Sequence, residues 1–483
     1  QHMHGWGMSQ EREEFMTMGT WGRRRISTLL LVSVLAPALA WGQVLTLTPS
    51  LTIGERYDDN IFQRSGEVNP NTGEVEREED DFITTISPAV QLRYIPRAET
   101  ILTFEYQPAF QIFADHSGQN HVSHRLDLDF ESPLSRRFSL EVGEQLVITE
   151  EPGDRTQEVD DVGGSDDRRS GSDEDRERTI RNTANISLNA GLTPRLSLGL
   201  LFENLIEEVE DDDELDEFRY VIGTELGYLT NVARQNRAVF TYTATIFTFS
   251  NNCDAGDVGC RPQNDEGFTV HTITGGYEHN LSATLAARAS IGYATTASDR
   301  DDLDGNDALV GSIGFIKTLR TGQFALSYER SFTSGGGTAD EVVSNRFIGR
   351  LRFQPTPKVT TALSGSFAIL NFEQENIDAQ NDDDRTFFTI RPSIQYQVLR
   401  YLGFNAAYNL ALSNFQQSER ADRTDHRLRV GAVFTIRAGL FVDLAYQHRN
   451  RKFDSTATEI REDGEFTRNE VILSVTYRPT FRF

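Results

Sequence analysis

The chain has 483 residues, 73 of them acidic against 47 basic, for a formal net charge of −26. Acidity this strong excludes non-specific nucleic-acid binding, which rests on clustered Lys and Arg. No apolar run is long enough for a mature membrane helix, but a membrane barrel remains open, because each of its strands needs only about ten residues with one apolar face.

In chain order, residues 1–20 stand upstream of a targeting segment and take no part in the fold argument. "RRRISTLLLVSVLAPALAWGQ" pairs a basic start (Arg23, Arg24, Arg25) with an apolar run from Ile26 to Ala36 and small residues after it. This is the pattern of a secretory signal, with Ala38-Leu39-Ala40 as the cut and Ala40-Trp41-Gly42 as the runner-up. Residues 1–42 are thus expected to be removed on export, leaving 43–483 as one domain.

The first alternating run, "VLTLTPSLTIG", leads into "ERYDDNIFQRS". Leu47, Leu51, Ile53 and Tyr57 share one face, with Tyr57 in the place of an interfacial ring, while Arg56, Asp58 and Asn60 share the other. A metal site, a carboxylate pair or a rim could each explain the polar cluster. Adjacent Asp58 and Asp59 point to opposite faces, so the spacing reads as a strand end at a rim.

"DFITTISPAVQLRY" then sets Phe82, Ile86, Pro88, Val90, Leu92 and Tyr94 opposite Thr85, Ser87, Gln91 and Arg93. After a tight turn, "TILTFEYQPAFQIF" repeats the alternation. Period two is the strand signal, and it persists to the end of the chain. Short turns, nine in all, alternate with ten longer and mostly acidic connections. The count predicts an all-β fold of about twenty strands (18–22), with both ends of the sheet on the short-turn side. A soluble propeller would need a recurring blade signature that is absent. A transmembrane antiparallel up-and-down β-barrel, with short periplasmic turns, long acidic outer loops and closure without an edge, accounts for the asymmetry.

If the apolar face meets lipid, the other face lines a lumen. That places Arg346, Arg350, Arg352, Arg385, Arg391, Arg423, Arg427 and Arg429 inward on the C-terminal half of the wall, with Asp425 among them. Glu105, Asp127, Asp129, Glu131 and Glu141 point inward on the N-terminal half. Such charges can pair within the wall, or act as a transverse field that selects polar solutes; the two roles are compatible. Twenty tilted strands close to a backbone diameter of ~40 Å. No separate plug domain fits the chain length, so only an infolded loop such as 151–178 could narrow the opening.

Other motifs carry less. His121 and Ser123 in "HVSH" are close in sequence but lack the orienting group and oxyanion site of a nucleophile, and His124 falls on the lipid face. Cys253 and Cys260 are expected to form a disulfide closing a short loop in an oxidising compartment. There is no third Cys or nearby His for a metal and no C-x-x-C-H for haem, so no cofactor or metal is expected. "EEVEDDDELDE" and "DRDDLDGND" read as solvated loops with diffuse Ca²⁺ or Mg²⁺ association, because the full calcium-loop pattern is missing. The last run, "VILSVTYRPTFRF", ends on Tyr477, Phe481 and Phe483, resembling the terminal signal read by the barrel-insertion machinery.

The stretch "PSLTIGERYDDNIFQRS…DDFITTISPAVQLRY" resembles the opening of a family of bacterial outer-membrane β-barrel porins found with exopolysaccharide or exosortase-type loci. The specific resemblance covers residues 49–94. It implies an outer-membrane pore and a role in polysaccharide export; with no catalytic motif in the chain, enzyme activity is not expected, and the barrel would sit among outer-membrane lipids and lipopolysaccharide. The periplasmic helical repeats of some polysaccharide porins are absent, so a link to an inner-membrane machine would need a separate export or periplasmic partner. The alternative expectation is a sheath around a partner such as a multihaem cytochrome.

Overall fold

The computed structural model describes residues 44–64, 77–97, 99–150, 178–209, 216–250, 266–298, 306–334, 341–372, 385–415, 422–454 and 464–483. The strands are β1 (Val44–Asp58), β2 (Asp81–Arg97), β3 (Thr100–Phe113), β4 (His121–Pro133), β5 (Phe138–Thr149), β6 (Thr179–Gly191) and β7 (Leu196–Val209). They continue as β8 (Asp216–Asn231), β9 (Asn236–Ser250), β10 (Glu266–Ser282), β11 (Leu285–Ser298), β12 (Asp307–Leu319), β13 (Gly322–Ser334) and β14 (Glu341–Thr356). The set ends with β15 (Val359–Phe372), β16 (Arg385–Leu399), β17 (Leu402–Phe415), β18 (Asp422–Arg437), β19 (Leu440–Asp454), β20 (Gly464–Tyr477) and the two-residue β21 (Phe481–Arg482).

Each strand pairs antiparallel with the next, and β20 pairs antiparallel with β1. Twenty strands therefore form a closed transmembrane barrel in which every wall strand has two partners. Closure removes the unpaired edge that hydrocarbon would penalise. The nine short connections lie on the end where β1 begins and β20 stops, and the ten longer ones on the other.

Register converts the alternation into two surfaces. Leu51 stands opposite Pro88, Ile53 opposite Ile86 and Tyr57 opposite Phe82, so the apolar sets of neighbouring strands merge on the outer face. The most exposed large apolar side chains lie there, among them Ile291 at 64% and Leu309 at 61%. In water that exposure would be a liability; against lipid tails it is the expected surface.

A belt of hydrogen-bonded polar groups crosses this outer face near mid-strand. The hydroxyls of Tyr106, Tyr242 and Tyr408 lie 2.9, 3.0 and 2.7 Å from Nδ1 of His124, His271 and His426. Tyr328 donates to Asn345 and Tyr446 to Asn469. Each of these tyrosines comes six residues after the start of its strand. At the strand rise and tilt of such barrels that is ~16 Å above the short turns. Glu144, also six residues into its strand, takes a 3.3 Å hydrogen bond from Asn182 at the same level. An outward carboxylate that breaks the apolar alternation thus stands level with the tyrosines of the polar belt.

The terminal segment differs from a single continuous strand. Pro479, which has no N–H to give a ladder, interrupts it, and pairing resumes at Phe481–Arg482 against Thr46 and Leu47. Leu45 and Phe483 exchange two backbone hydrogen bonds of 2.8 and 3.2 Å. Deleting residues 481–483 should therefore lower both the yield of assembled barrel and the temperature at which its compact form converts on a heat-modifiability gel. A wild-type transition in the truncated protein would contradict this role.

Candidate functional site

The polar run that ends the first strand is built into the barrel seam. Asp58 is fully buried and its carboxylate accepts hydrogen bonds from Arg468 Nε (3.0 Å) and Nη2 on β20. Arg468 also meets Glu470 at 2.9 Å, and Arg56 meets Glu470 at 3.5 Å. Asp59 takes the backbone N–H of Asn469 at 2.6 Å and its side-chain amide at 2.7 Å. Asn60 donates to the Thr467 carbonyl at 3.1 Å and closes its own turn through Arg64. Three successive residues of β1 and its turn thereby grip three successive residues of β20.

The turn then folds into the mouth. Ile61 is buried against Ile83 and Phe113, both on the inner face of the wall, and Arg449 of β19 donates to the Gln63 side chain. Gln63 adopts a positive φ of 53° at this bend. The turn thus spans inside the rim from β19 to β3.

Beside it, Asp425 on β18 is the hub of a second buried cluster. Its carboxylate lies 3.4 Å from Arg427, 2.8 Å from Arg449 and 3.1 Å from Arg451. One carboxylate among three guanidiniums leaves a net positive wall, and each desolvated charge is held by a directed hydrogen bond. Arg449, Arg451 and Arg468 were not among the residues singled out from sequence. The signal was present, since all three alternate with the outward residues Tyr446, His448 and Asn469.

The remaining inward charges are distributed around the circumference. Arg346, Arg350 and Arg352 lie opposite in alternation to Phe347, Leu351 and Phe353 on β14, and Arg385 and Arg391 share the inner face of β16 with Ser393. Arg391 donates to Asn409 at 2.9 Å. Arg423 and Arg429 share the inner face with Arg427. Arg352 and Arg429 are exposed to the lumen and make no ion pair or hydrogen bond among the described residues. On the other wall Glu105 takes Gln91 at 2.9 Å, and Asp127 takes Arg125 and Gln145, each at 2.9 Å. Glu131 stands directly opposite Glu141 in the register, and Asp129 opposite Thr103. Strands β14–β20 carry inward Arg346, Arg350, Arg352, Arg385, Arg391, Arg423, Arg427, Arg429, Arg449, Arg451 and Arg468, against Asp425, Asp443 and Glu470. Inward arginines therefore outnumber inward carboxylates on β14–β20.

At the same rim, the connection after β3 is tied to the start of β2. Asp81 accepts the backbone N–H groups of Ala114, Asp115 and His116 and the His116 Nδ1 at 2.9 Å. Glu79 meets His116 Nε2 at 2.7 Å and Arg64 at 2.9 Å. Burial draws the His116 pKa down, but hydrogen bonds to Asp81 and Glu79 and their negative charges outweigh it, and the net shift is upward.

His121 and Ser123 do not form a catalytic couple: His121 Nδ1 is 2.9 Å from the Gln119 carbonyl and Ser123 is 3.5 Å from Thr149. No cluster of three metal-ligating side chains occurs among the described residues. The signal segment, Cys253 and Cys260, loop 151–177 and the cores of both acidic loops lie outside the described residues.

No family model and no curated protein matches the chain. Solved structures do. The ferric-catecholate import receptor Fiu from Escherichia coli K12 aligns with a TM-score of 0.50 at 7% identity, covering 90% of this chain and 81% of that one. The ferric enterobactin receptor PfeA, in complex with BCV-L6, gives the same score, identity and coverage. The fold is that of outer-membrane barrels. At such identity the likeness extends to the fold alone.

Two outcomes follow from the seam and the rim. Arg468→Met leaves the Asp58 carboxylate buried without its main partner and should cost about 3–5 kcal/mol in urea unfolding of the reconstituted barrel. Asp58→Leu combined with Arg468→Met should regain most of it, and an additive loss would contradict the pairing. Because the His116 pKa is raised on folding, its contribution is present below about pH 6.5 and is lost as pH rises through the folded value. Hydrogen-exchange protection of residues 114–120 should fall over that rise, and His116→Gln should abolish the dependence.

Proposed function

We propose that this protein is an outer-membrane channel passing hydrophilic solutes, with exported polysaccharide among them, through a lumen charged oppositely on its two walls. The observation that supports it most is the placement of Arg352 and Arg429, exposed to the lumen with no partner among the described residues. A guanidinium that only braced the wall would be paired, as Arg449 is with Asp425. A barrel of twenty strands has room for an opening on the order of 20 Å once side chains line it. The polysaccharide assignment rests on the resemblance over residues 49–94, and it requires a separate partner to reach the inner membrane.

A second reading is a sheath around a partner protein. It is favoured by the apolar cluster of Phe247, Phe249, Phe268, Val270, Ala294 and Val310 on the inner face near the long-loop ends of β9–β12, which a channel for hydrated solutes does not need.

Purified protein in a planar bilayer should carry current with a reversal potential displaced from zero in a salt gradient. Arg352→Glu together with Arg429→Glu should shift that potential toward cation selectivity without altering barrel assembly. A closed wild type would favour the sheath, and an unchanged potential in the double variant would contradict the transverse field.

A further inference from the structure

Between β10 and β14 the inner wall is hollowed, because small residues occupy adjacent inward positions. Register brings Gly276, Ser290 and Ser312 side by side, ending at Glu329, and the next row toward the short turns runs Glu278, Arg288, Gly314 and Ser327. The result is a lumen-facing niche of about 480 Å³, within the range of small-ligand sites. Two of its glycines do specific work. A Cβ at Gly276 would come within 2.9 Å of the Ala289 carbonyl oxygen, and one at Gly314 within 3.1 Å of Arg288 Nε, whose side chain crosses the floor there.

Several polar groups of the niche have hydrogen-bonding capacity to spare. Ser290 and Ser312 share one hydrogen bond of 2.8 Å, which uses one of their two protons. Ser327, Arg288 and Glu329 make none among the described residues. Glu278 is held at the edge by Arg237 at 3.1 Å.

We infer that this niche is a subsite for a neutral, polyhydroxylated unit of the transported solute, a sugar residue by chemistry. This rests on the channel reading above and specifies what the channel handles. Each sugar hydroxyl both donates and accepts, and the niche offers donors only from Arg288, acceptors only from Glu329, and both from three serines. An anion would meet Glu329 and Glu278; a cation would meet Arg288 and Arg350. The aromatic rings nearby, Tyr277 and Phe315, alternate to the outer face, so no stacking platform holds the ring. The site is accordingly weak, as a resting place along a conduction path must be if solute is to leave it.

The test is current block by maltohexaose through the full-length protein in planar bilayers. Wild type should show saturable block. Arg288→Ala, which removes an exposed unpaired side chain and leaves the ladder intact, should raise the half-blocking concentration roughly tenfold, the loss of about one charged hydrogen bond, and Ser312→Phe, which fills the niche, should raise it at least as far. Equal block in the wild type and Arg288→Ala overturns the subsite, as does stronger block by hexagalacturonate than by maltohexaose. If the wild type carries no current, the channel reading fails by itself, and saturation-transfer NMR with maltohexaose on detergent-solubilised protein still decides the niche. Transfer that is lost in Arg288→Ala supports the subsite, and transfer absent in the wild type or retained in the variant overturns it.

Discussion

Every other property of this protein depends on joining β1 to β20. A sheet of twenty strands in hydrocarbon is viable only without an edge, and its first and last strands are the pair farthest apart in sequence. Chain connectivity does nothing to hold them together, so side chains do. Asp58 takes Arg468, Asp59 takes Asn469 and Asn60 takes the Thr467 carbonyl. Below them Thr52 and Thr476 share a 2.9 Å hydrogen bond, and the terminal Phe483 returns to Leu45. These contacts are concentrated where loop-closure entropy is greatest and where a mispaired register would expose a whole strand's polar face to lipid.

The same seam shapes the mouth. After gripping β20, the chain bends inward, buries Ile61 and carries Gln63 to Arg449. The Asp425 cluster and the seam cluster therefore form one continuous charged rim on β18, β19, β20 and β1. Structural pairing and lumen electrostatics are not separate designs here. Paired arginines brace the wall, and Arg352 and Arg429 on the same side of the barrel stay exposed to the lumen.

Much of this was legible in the sequence, for a physical reason. Period-two alternation in a one-layer wall leaves each side chain only two places to point, so facing follows from parity once a single strand is oriented. That is why Tyr57, Arg56, Asp58 and the inward arginines of β14, β16 and β18 could be placed by inspection. Parity says nothing about height or about which strand lies opposite at a given residue. The burial of Asp58 by Arg468, 410 positions away, depends on the register of closure, as does the gathering of Arg427, Arg449 and Arg451 around Asp425. Nor does parity explain an outward Glu144, whose place comes from its level with the tyrosine–histidine belt. The niche was invisible for a related reason: glycines and serines scattered over four strands become one hollow only when their rows align.

The most direct test of this account is a covalent bond across the seam. Gly54 and Ser474 are register partners on the inner face, and a Cβ built at Gly54 lies 3.3 Å from the Ser474 Cβ, close to disulfide geometry. Gly54→Cys with Ser474→Cys, in a background where Cys253 and Cys260 are serine, should form a disulfide in the assembled barrel. The denatured chain should then run as a closed loop on a non-reducing gel and as a linear chain after reduction. Free thiols at both positions in assembled protein would contradict closure of β1 on β20.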